Sequence, residues 1–350
     1  MKYFYLVFSY LLIITTLLPL IRNPHWVFRI FDFGKIQLFI LQLLVLLLSL
    51  WYGDTLTVIL LCGTTLLNGA LLFKYTPLYN SGRKPPSASA SVPITLLSLN
   101  VYQENRNYTK FLELVQAVNP DAVLTMESDT GWDEALKALD SSFPYSLKAP
   151  LDNTYGMHLF SKHKMLKGEI HYFVADDLPS MEAEFETEDG RIYKMYALHP
   201  PPPSPTEEET SKERDGDLLS VAKAIRKDKE VPTVAIGDFN CVAWAEASRL
   251  FVKTSELVDP RLGRGFISTF HAKYKLLRFP IDQVYHSPDI FVKDLKTLPN
   301  VDSDHLPLLF RFVIDHKNTS QDHLVETADT EDLQTVNEKI KEGKEENGER

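Results

Sequence analysis

The sequence predicts an α/β domain carried behind three transmembrane helices, and three observations predict it. The first seventy-five residues hold an outsized share of the Leu, Ile and Val. From Ile94 to Ile314, strand-like apolar runs alternate with segments of helical periodicity. The last thirty-five residues are nearly all polar. In a chain of 350 residues this leaves about 220 for the globular part, ample for a substantial core.

The apolar runs cover Tyr3 to Leu20, Ile36 to Trp51 and Leu56 to Phe73. A bilayer core of about 30 Å takes about 20 apolar residues in a helix. Spans are therefore expected at about 3–22, 35–53 and 55–74, making residues 1–75 a transmembrane region. Tyr3, Tyr5, Trp26, Trp51, Tyr52 and Tyr75 mark the ends, where interfacial aromatics belong. A cleaved signal peptide would explain the first run alone, but no small-residue cleavage site follows it and two more spans do. With so few charges, a buried bundle in a soluble protein is the weaker reading. Three spans put the first loop and the C-terminal domain on one side. Arg22, Arg29 and Lys35 in that loop, and Lys74, Arg83 and Lys84 after the third span, place both in the cytoplasm by the positive-inside rule.

Residues 76–92, rich in Ser, Pro, Gly and basic side chains, read as a linker. The domain is expected at 93–315. Strands are predicted at Ile94–Val101, Ala122–Met126, Tyr155–Ser161, Thr233–Ile236, Gln283–Ser287 and Leu308–Ile314, with a hairpin turning at Asp189-Gly190. Helices are predicted at Asn107–Val118, Trp132–Leu139 and about Glu207–Lys227. This alternation, with its hairpins, predicts a mixed sheet or two packed sheets covered by helices. Residues 316–350 read as a disordered acidic tail: from Asp315 onward eleven acidic side chains face five basic ones, which is −6 of the chain's net −10. The remainder lacks the positive field of a protein that tracks a nucleic-acid backbone. Cys62 and Cys241 form no CxxC, so neither a disulfide framework nor a thiolate metal site is expected.

Chemistry concentrates at strand ends. In Ile236-Gly237-Asp238-Phe239-Asn240, an acid and an amide two residues apart on extended chain reach one point. The bland alternative is an Asx turn. In Ser303-Asp304-His305-Leu306-Pro307, a His beside an Asp is a candidate acid, base or charge stabiliser, or else a surface turn. Asp282, at the start of a strand, could orient that His. Asn100, Glu127 and His199 each end an apolar strand, and a carboxylate so placed suits a hard cation. All would meet at one sheet edge.

This ordered set resembles the endonuclease/exonuclease/phosphatase (DNase I-like) superfamily, over roughly Ile94 to Ile314. The resemblance implies a four-layer α/β sandwich and Mg²⁺ (or Mn²⁺) as cofactor. It implies metal-supporting roles for Glu127, Asn100 and Asp304. It implies catalytic roles for Asp238, Asn240, His305, Asp282 and His199. Two positions depart from the pattern: Met126 stands where nucleases of this fold usually have Gln, and Gln283 where similar membrane-bound members often have His. The reaction implied is hydrolysis of a phosphate ester by a metal-assisted water. Lys273, Lys275 and Arg278, in a segment mixing cations with large apolar residues, are the expected substrate contacts, to anionic head groups or a lipid-linked phosphate. Their bland alternative is a basic surface loop. The preferred reading is a phosphoesterase whose partners are the lipid bilayer and a lipid or lipid-linked phosphate. A nuclease, a phosphatase of soluble esters and a non-catalytic membrane scaffold are the alternatives. The resemblance to membrane-bound bacterial members with a similar three-span layout implies the inner (cytoplasmic) membrane and, against the charge bias, an extracytoplasmic domain, which is the side preferred here.

Overall fold

Strand residues alternate between two buried surfaces, and that alternation sets the layers. The computed structural model describes residues 1–87 and 90–346. One sheet has six strands: β1 (Ile94–Asn100), β2 (Ala122–Met126), β3 (Tyr145–Ala149), β4 (Met157–Ser161), β10 (Ile290–Thr297) and β11 (Leu308–Ile314), in the order β10-β11-β1-β2-β4-β3. The other has five: β5 (Lys164–His171), β6 (Ser180–Glu186), β7 (Ile192–Leu198), β8 (Thr233–Asp238) and β9 (Asp282–His286), in that order. Leu96, Leu124, Leu159 and Phe310 face Met181, Phe185, Met195 and Ile236 in the core between the sheets. On the outer side of the first sheet, Leu97, Leu99 and Val123 pack under Phe111 and Val115 of α5 (Tyr108–Val118) and Trp132 and Leu136 of α6 (Thr130–Leu136). Outside the second sheet, Tyr196, Leu198 and Tyr285 pack under α7 (Lys212–Lys227) and α8 (Glu246–Ser255). The result is the expected helix–sheet–sheet–helix sandwich. Within the sandwich, three strands and one helix went unforeseen: β3, β5, β10 and α8. Of these, β5 and β10 are half-solvated strands whose charged residues break the apolar pattern.

Each sheet contains one parallel pair, and all other pairings are antiparallel. In the parallel pair β1–β2, Asn100 lies opposite Met126, one residue before Glu127. In β7–β8, Leu198 lies opposite Gly237, which brings His199 beside Asp238. Asp238 in turn pairs with Asp282 of antiparallel β9. Register alone thus carries these polar residues to one end of the sandwich. Gly237 is required there: a Cβ on it would lie 2.0 Å from the Leu198 carbonyl oxygen.

Three N-terminal helices are long and apolar enough to cross a membrane: Lys2–Leu20 (α1, Lys2–Leu17, plus a 3₁₀ turn), α3 (Lys35–Tyr52) and α4 (Thr55–Phe73). Their interior carries a hydrogen-bonded knot in which Gln42 Nε2 donates to Thr16 and Thr64 and Asn68 Nδ2 donates to Gln42 Oε1 at 2.9 Å. Paired amides of this kind hold helices together where lipid offers no alternative partner. The bundle docks on the domain through Leu72 and Tyr75, which join the apolar cluster of α7 and α8. A short helix between the first two spans, α2 (Trp26–Phe33), is fastened as well: Trp244 Nε1 donates to the Asp32 carbonyl at 2.7 Å, and Trp26 N to that of Glu209 at 3.0 Å. The stretch expected as a linker is strapped down, with Arg83 donating to the carbonyls of Asp259 and Leu262.

The tail expected to be disordered is instead largely ordered, in α9 (Thr330–Glu345), which packs on α7. An Asp329/Asp332 capping box starts it. Val336 is fully buried and joins Leu219 and Leu250 with Ile340. Gly343 and Gly216 let the helices approach, for a Cβ on Gly343 would meet the Lys212 carbonyl oxygen at 2.7 Å. Charge seals the contact: Lys339 Nζ lies 3.0 Å from Asp215 Oδ2, and Arg214 Nη2 lies 2.7 Å from Asp215 Oδ1. Burial opposes the charge on Asp215, but Lys339 and Arg214 outweigh it and hold the carboxyl below the usual range. A lowered carboxyl pKa contributes stability above the unfolded value of about 4, lost as pH falls through the folded value. Lys339→Ala should cost about 1–3 kcal/mol at pH 7. Denaturant titrations at pH 7, pH 4 and pH 2 should show that penalty intact at pH 4 and shrinking only toward pH 2.

Candidate active site

Glu127, His199, Asp238, Asn240, Asp304 and His305 line a single cleft of about 700 Å³. Asn100 and Asp282, buried beside it, complete the set expected from sequence. Asn100 Nδ2 donates to Glu127 Oε1 at 2.7 Å and to Asp238 Oδ2 at 3.1 Å. Its Oδ1 meanwhile accepts from Tyr102 N at 3.0 Å. The amide is therefore oriented with its nitrogen toward the acids, so Asn100 clamps the two carboxylates. Glu127 has left-handed backbone (φ 56°), and its other oxygen accepts from Gln103 N at 3.1 Å.

His305 Nδ1 lies 2.7 Å from Asp282 Oδ2, and its Nε2 lies 3.6 Å from Asp238 Oδ2. Phe270 packs on the ring at 4.9 Å between centroids. Burial disfavours the imidazolium, but Asp282 and Asp238 overcome it and push His305 up to about 10. The ring is thus a cation at neutral pH, aimed by one carboxylate and beside another. Burial, reinforced by Asp282, raises Asp238. Burial takes His199 down to about 4, leaving it neutral, and its Nδ1 is buried without a hydrogen-bond partner. Asn240, also left-handed (φ 48°), donates from its backbone N to Asp238 Oδ1 at 2.9 Å and from Nδ2 to the Pro200 carbonyl at 2.9 Å. An Asn tolerates that conformation where most residues resist it.

The donor set suits a hard divalent cation. Ligand atoms of Asp238, Asp282 and His305 lie within 4.8 Å of one another. Asp282 and His305, however, already satisfy each other. Oxygen-seeking Mg²⁺ is better served by Asp238 and Glu127, which the Asn100 amide draws together. Burial pushes the Glu127 carboxyl up to about 7. Asp304 stands on the cleft wall, where its backbone carbonyl accepts from Ala272 N at 2.6 Å.

Lys273, Lys275 and Arg278 are not among the residues lining the cleft. Arg278 donates to the carbonyls of His271 and Ala272, so its guanidinium braces its own loop. Sequence reasoning missed several neighbours. Tyr155 and Glu207 line the cleft and hydrogen-bond at 3.0 Å. Ser128 Oγ lies 2.8 Å from His158 Nδ1, and His158 Nε2 lies 3.0 Å from Asp133 Oδ1. That serine–histidine–aspartate chain has the residue order of a hydrolase triad but the two ring nitrogens exchanged, since a triad sets Nε2 toward the serine and Nδ1 toward the aspartate. Ser128 and His158 are also fully buried, so its reach is limited to holding the backbone next to Glu127. The wall least expected is α2, which contributes Arg29, Ile30 and Phe33. Its reversal of apolar and polar faces within eight residues was the available signal, hidden between two spans.

Residues 97–305, well over half of the chain, match the model of the Endonuclease/Exonuclease/phosphatase family. No curated protein matches the sequence. Among solved structures, zebrafish (D. rerio) TDP2 complexed with a single-strand DNA product is similar at TM-score 0.54 and 17% identity, over 63% of this chain and 99% of that one. The human Nocturnin catalytic domain with bound sulfate gives 0.53 and 19%, over 65% and 99%. A family protein from Bacteroides thetaiotaomicron gives 0.54 and 19%, over 66% and 99%. With the matched segment running from β1 to His305 and holding every acid and histidine among the described residues that line the cleft, the chain belongs to the endonuclease/exonuclease/phosphatase family, as a metal-dependent hydrolase of phosphate esters.

Proposed function

We propose that this chain is a membrane-anchored phosphoesterase that hydrolyses the phosphate ester of a lipid or lipid-linked substrate at the bilayer surface. One observation carries the reading: a wall of the catalytic cleft is built by α2, the segment joining the first two apolar helices. A substrate anchored in the same bilayer reaches such a cleft at high effective concentration. Ile30, Phe33, Phe270, Phe279 and Ile281 give the cleft an apolar half opposite its acids and histidines. A polynucleotide would need a cationic track. Arg29 is the single Lys or Arg among the described residues of the lining, and carbonyls of Pro19, Ile21 and Asn23 hold its guanidinium. The side preferred for the domain is extracytoplasmic. Of the six cations that favour the cytoplasm, Arg29 and Lys35 are buried and Arg83 is bound to domain carbonyls.

Glu127 and Asp238 would hold Mg²⁺ or Mn²⁺, which when bound polarises a phosphoryl oxygen and eases departure of the leaving oxygen. Asp238 orients the attacking water and accepts its proton. The cationic His305, aimed by Asp282, donates to a phosphoryl oxygen as negative charge develops. The free Nδ1 of His199 and the remaining amide proton of Asn240 face the same purpose. Ile30 and Phe33 exclude water beside the ester.

His305→Ala should lower turnover by about 10²–10³, the scale of losing one transition-state donor, and Asp238→Ala by about 10²–10⁴, the scale of losing a general base. Initial rates at saturating substrate measure this, and activity surviving both substitutions would reject the site. Chelation with EDTA should abolish turnover and added Mg²⁺ restore it. The purified chain in nanodiscs should hydrolyse a polyprenyl pyrophosphate or a phosphoinositide faster than plasmid DNA or an abasic-site duplex. The reverse order would favour a nuclease.

A further inference from the structure

We infer that the loop 271–278 is a further membrane contact, a monotopic tip that dips into the bilayer interface beside the cleft; this rests on the membrane anchoring proposed above and extends it. The tip presents Tyr274, Leu276 and Leu277, which are 58%, 86% and 55% exposed, on a single 3₁₀ turn (Lys275–Leu277). Three large apolar side chains in four residues are costly to leave in water. They are flanked by Lys273 and Lys275, whose stems can lie along an apolar surface while their ammonium groups stay at head-group level.

The place of the loop names its partner. Gln37, in the first turn of the spanning helix α3, donates from Nε2 to the Leu276 carbonyl at 2.7 Å. Phe33 of α2 meets Phe279 edge-on at 5.6 Å. The tip is therefore tied to the point where α3 leaves the domain, and a bilayer around α3 would receive Leu276 and Leu277 at its surface.

The base of the same loop reaches the chemistry. Thr269 N and Phe270 N donate to the Phe279 carbonyl, each at 3.1 Å, closing the hairpin. Ala272 N donates to the Asp304 carbonyl at 2.6 Å, and Leu306 N to that of Thr269 at 3.2 Å. Phe270 rests on His305. With α2 on one side and this hairpin on the other, the mouth of the cleft faces the lipid. Of the two contacts expected from sequence for Lys273 and Lys275, head groups or a lipid-linked phosphate, the place of the loop favours the head groups.

Site-directed spin labelling of the full chain in nanodiscs tests this. In a Cys62→Ala background, since Cys62 is exposed and Cys241 buried, single cysteines Leu276→Cys, Leu277→Cys, Leu47→Cys and Glu188→Cys receive a nitroxide. Leu47 is an exposed residue of α3, and Glu188 is exposed in the β6–β7 turn, at the other end of β7 from His199. The labels at 276 and 277 should match Leu47: open to oxygen and shielded from a water-soluble nickel chelate. Labels at 276 and 277 that match Glu188, with Leu47 still in lipid, overturn the inference alone. A Leu47 label open to nickel overturns the membrane reading and the inference with it. Both tip residues are too exposed for the substitutions to disturb the core.

Discussion

One amide nitrogen ties the two sheets together at their functional end. Asn100 terminates a strand of the six-stranded sheet, and its Nδ2 donates both to Glu127 of that sheet and to Asp238 of the other. Two carboxylates held this close repel each other, and neutralising them takes a donor between them and a cation beyond. Everything else at the site follows from where they sit. His305 is held charged by Asp282 and Asp238, and Gly237 lets β8 approach β7 closely enough to set Asp238 beside His199. The inter-sheet core of Leu96, Leu124, Met195 and Ile236 fixes the distance that the amide spans.

The N-terminal apolar helices are part of this architecture rather than a tether added to it. Leu72 and Tyr75 lie in the same apolar cluster as Phe239, the residue between Asp238 and Asn240. Trp244, four residues beyond Asn240, bonds the backbone of α2. The catalytic loop after β8 is thus packed between the sheet and the docked helices. The apolar helices and the catalytic cleft are joined through direct contacts of a few residues rather than through a free linker.

Much of this was legible in the sequence because strand alternation is a strong signal and polar residues at strand ends stand out against it. Asn100, Glu127, His199, Asp238, Asn240, Asp304 and His305 were each marked by an apolar run beside them, and the structure gathers them as expected. What failed was local. Amide orientation depends on neighbours, so Asn100 could be singled out, but not which end of its amide faces the acids. The acidic tail hid α9, because Val336, Ile340 and Gly343 lie one turn apart among charges that dominate its composition. Helix α2 was overlooked because it has eight residues between two much longer apolar runs. Lys273, Lys275 and Arg278 belong to a loop whose base reaches His305 through Phe270, but direction is a property of the folded loop. Arg278 turns inward onto carbonyls, which no spacing rule reveals.

The central claim is that acids from two separate sheets share one divalent ion. Anomalous diffraction from crystals of the full chain soaked in Mn²⁺ tests it most directly. The account predicts a strong peak touching the carboxylates of Glu127 and Asp238, within the cleft that His305 faces. A cleft without density, or a peak bound only by residues outside it, would contradict the account.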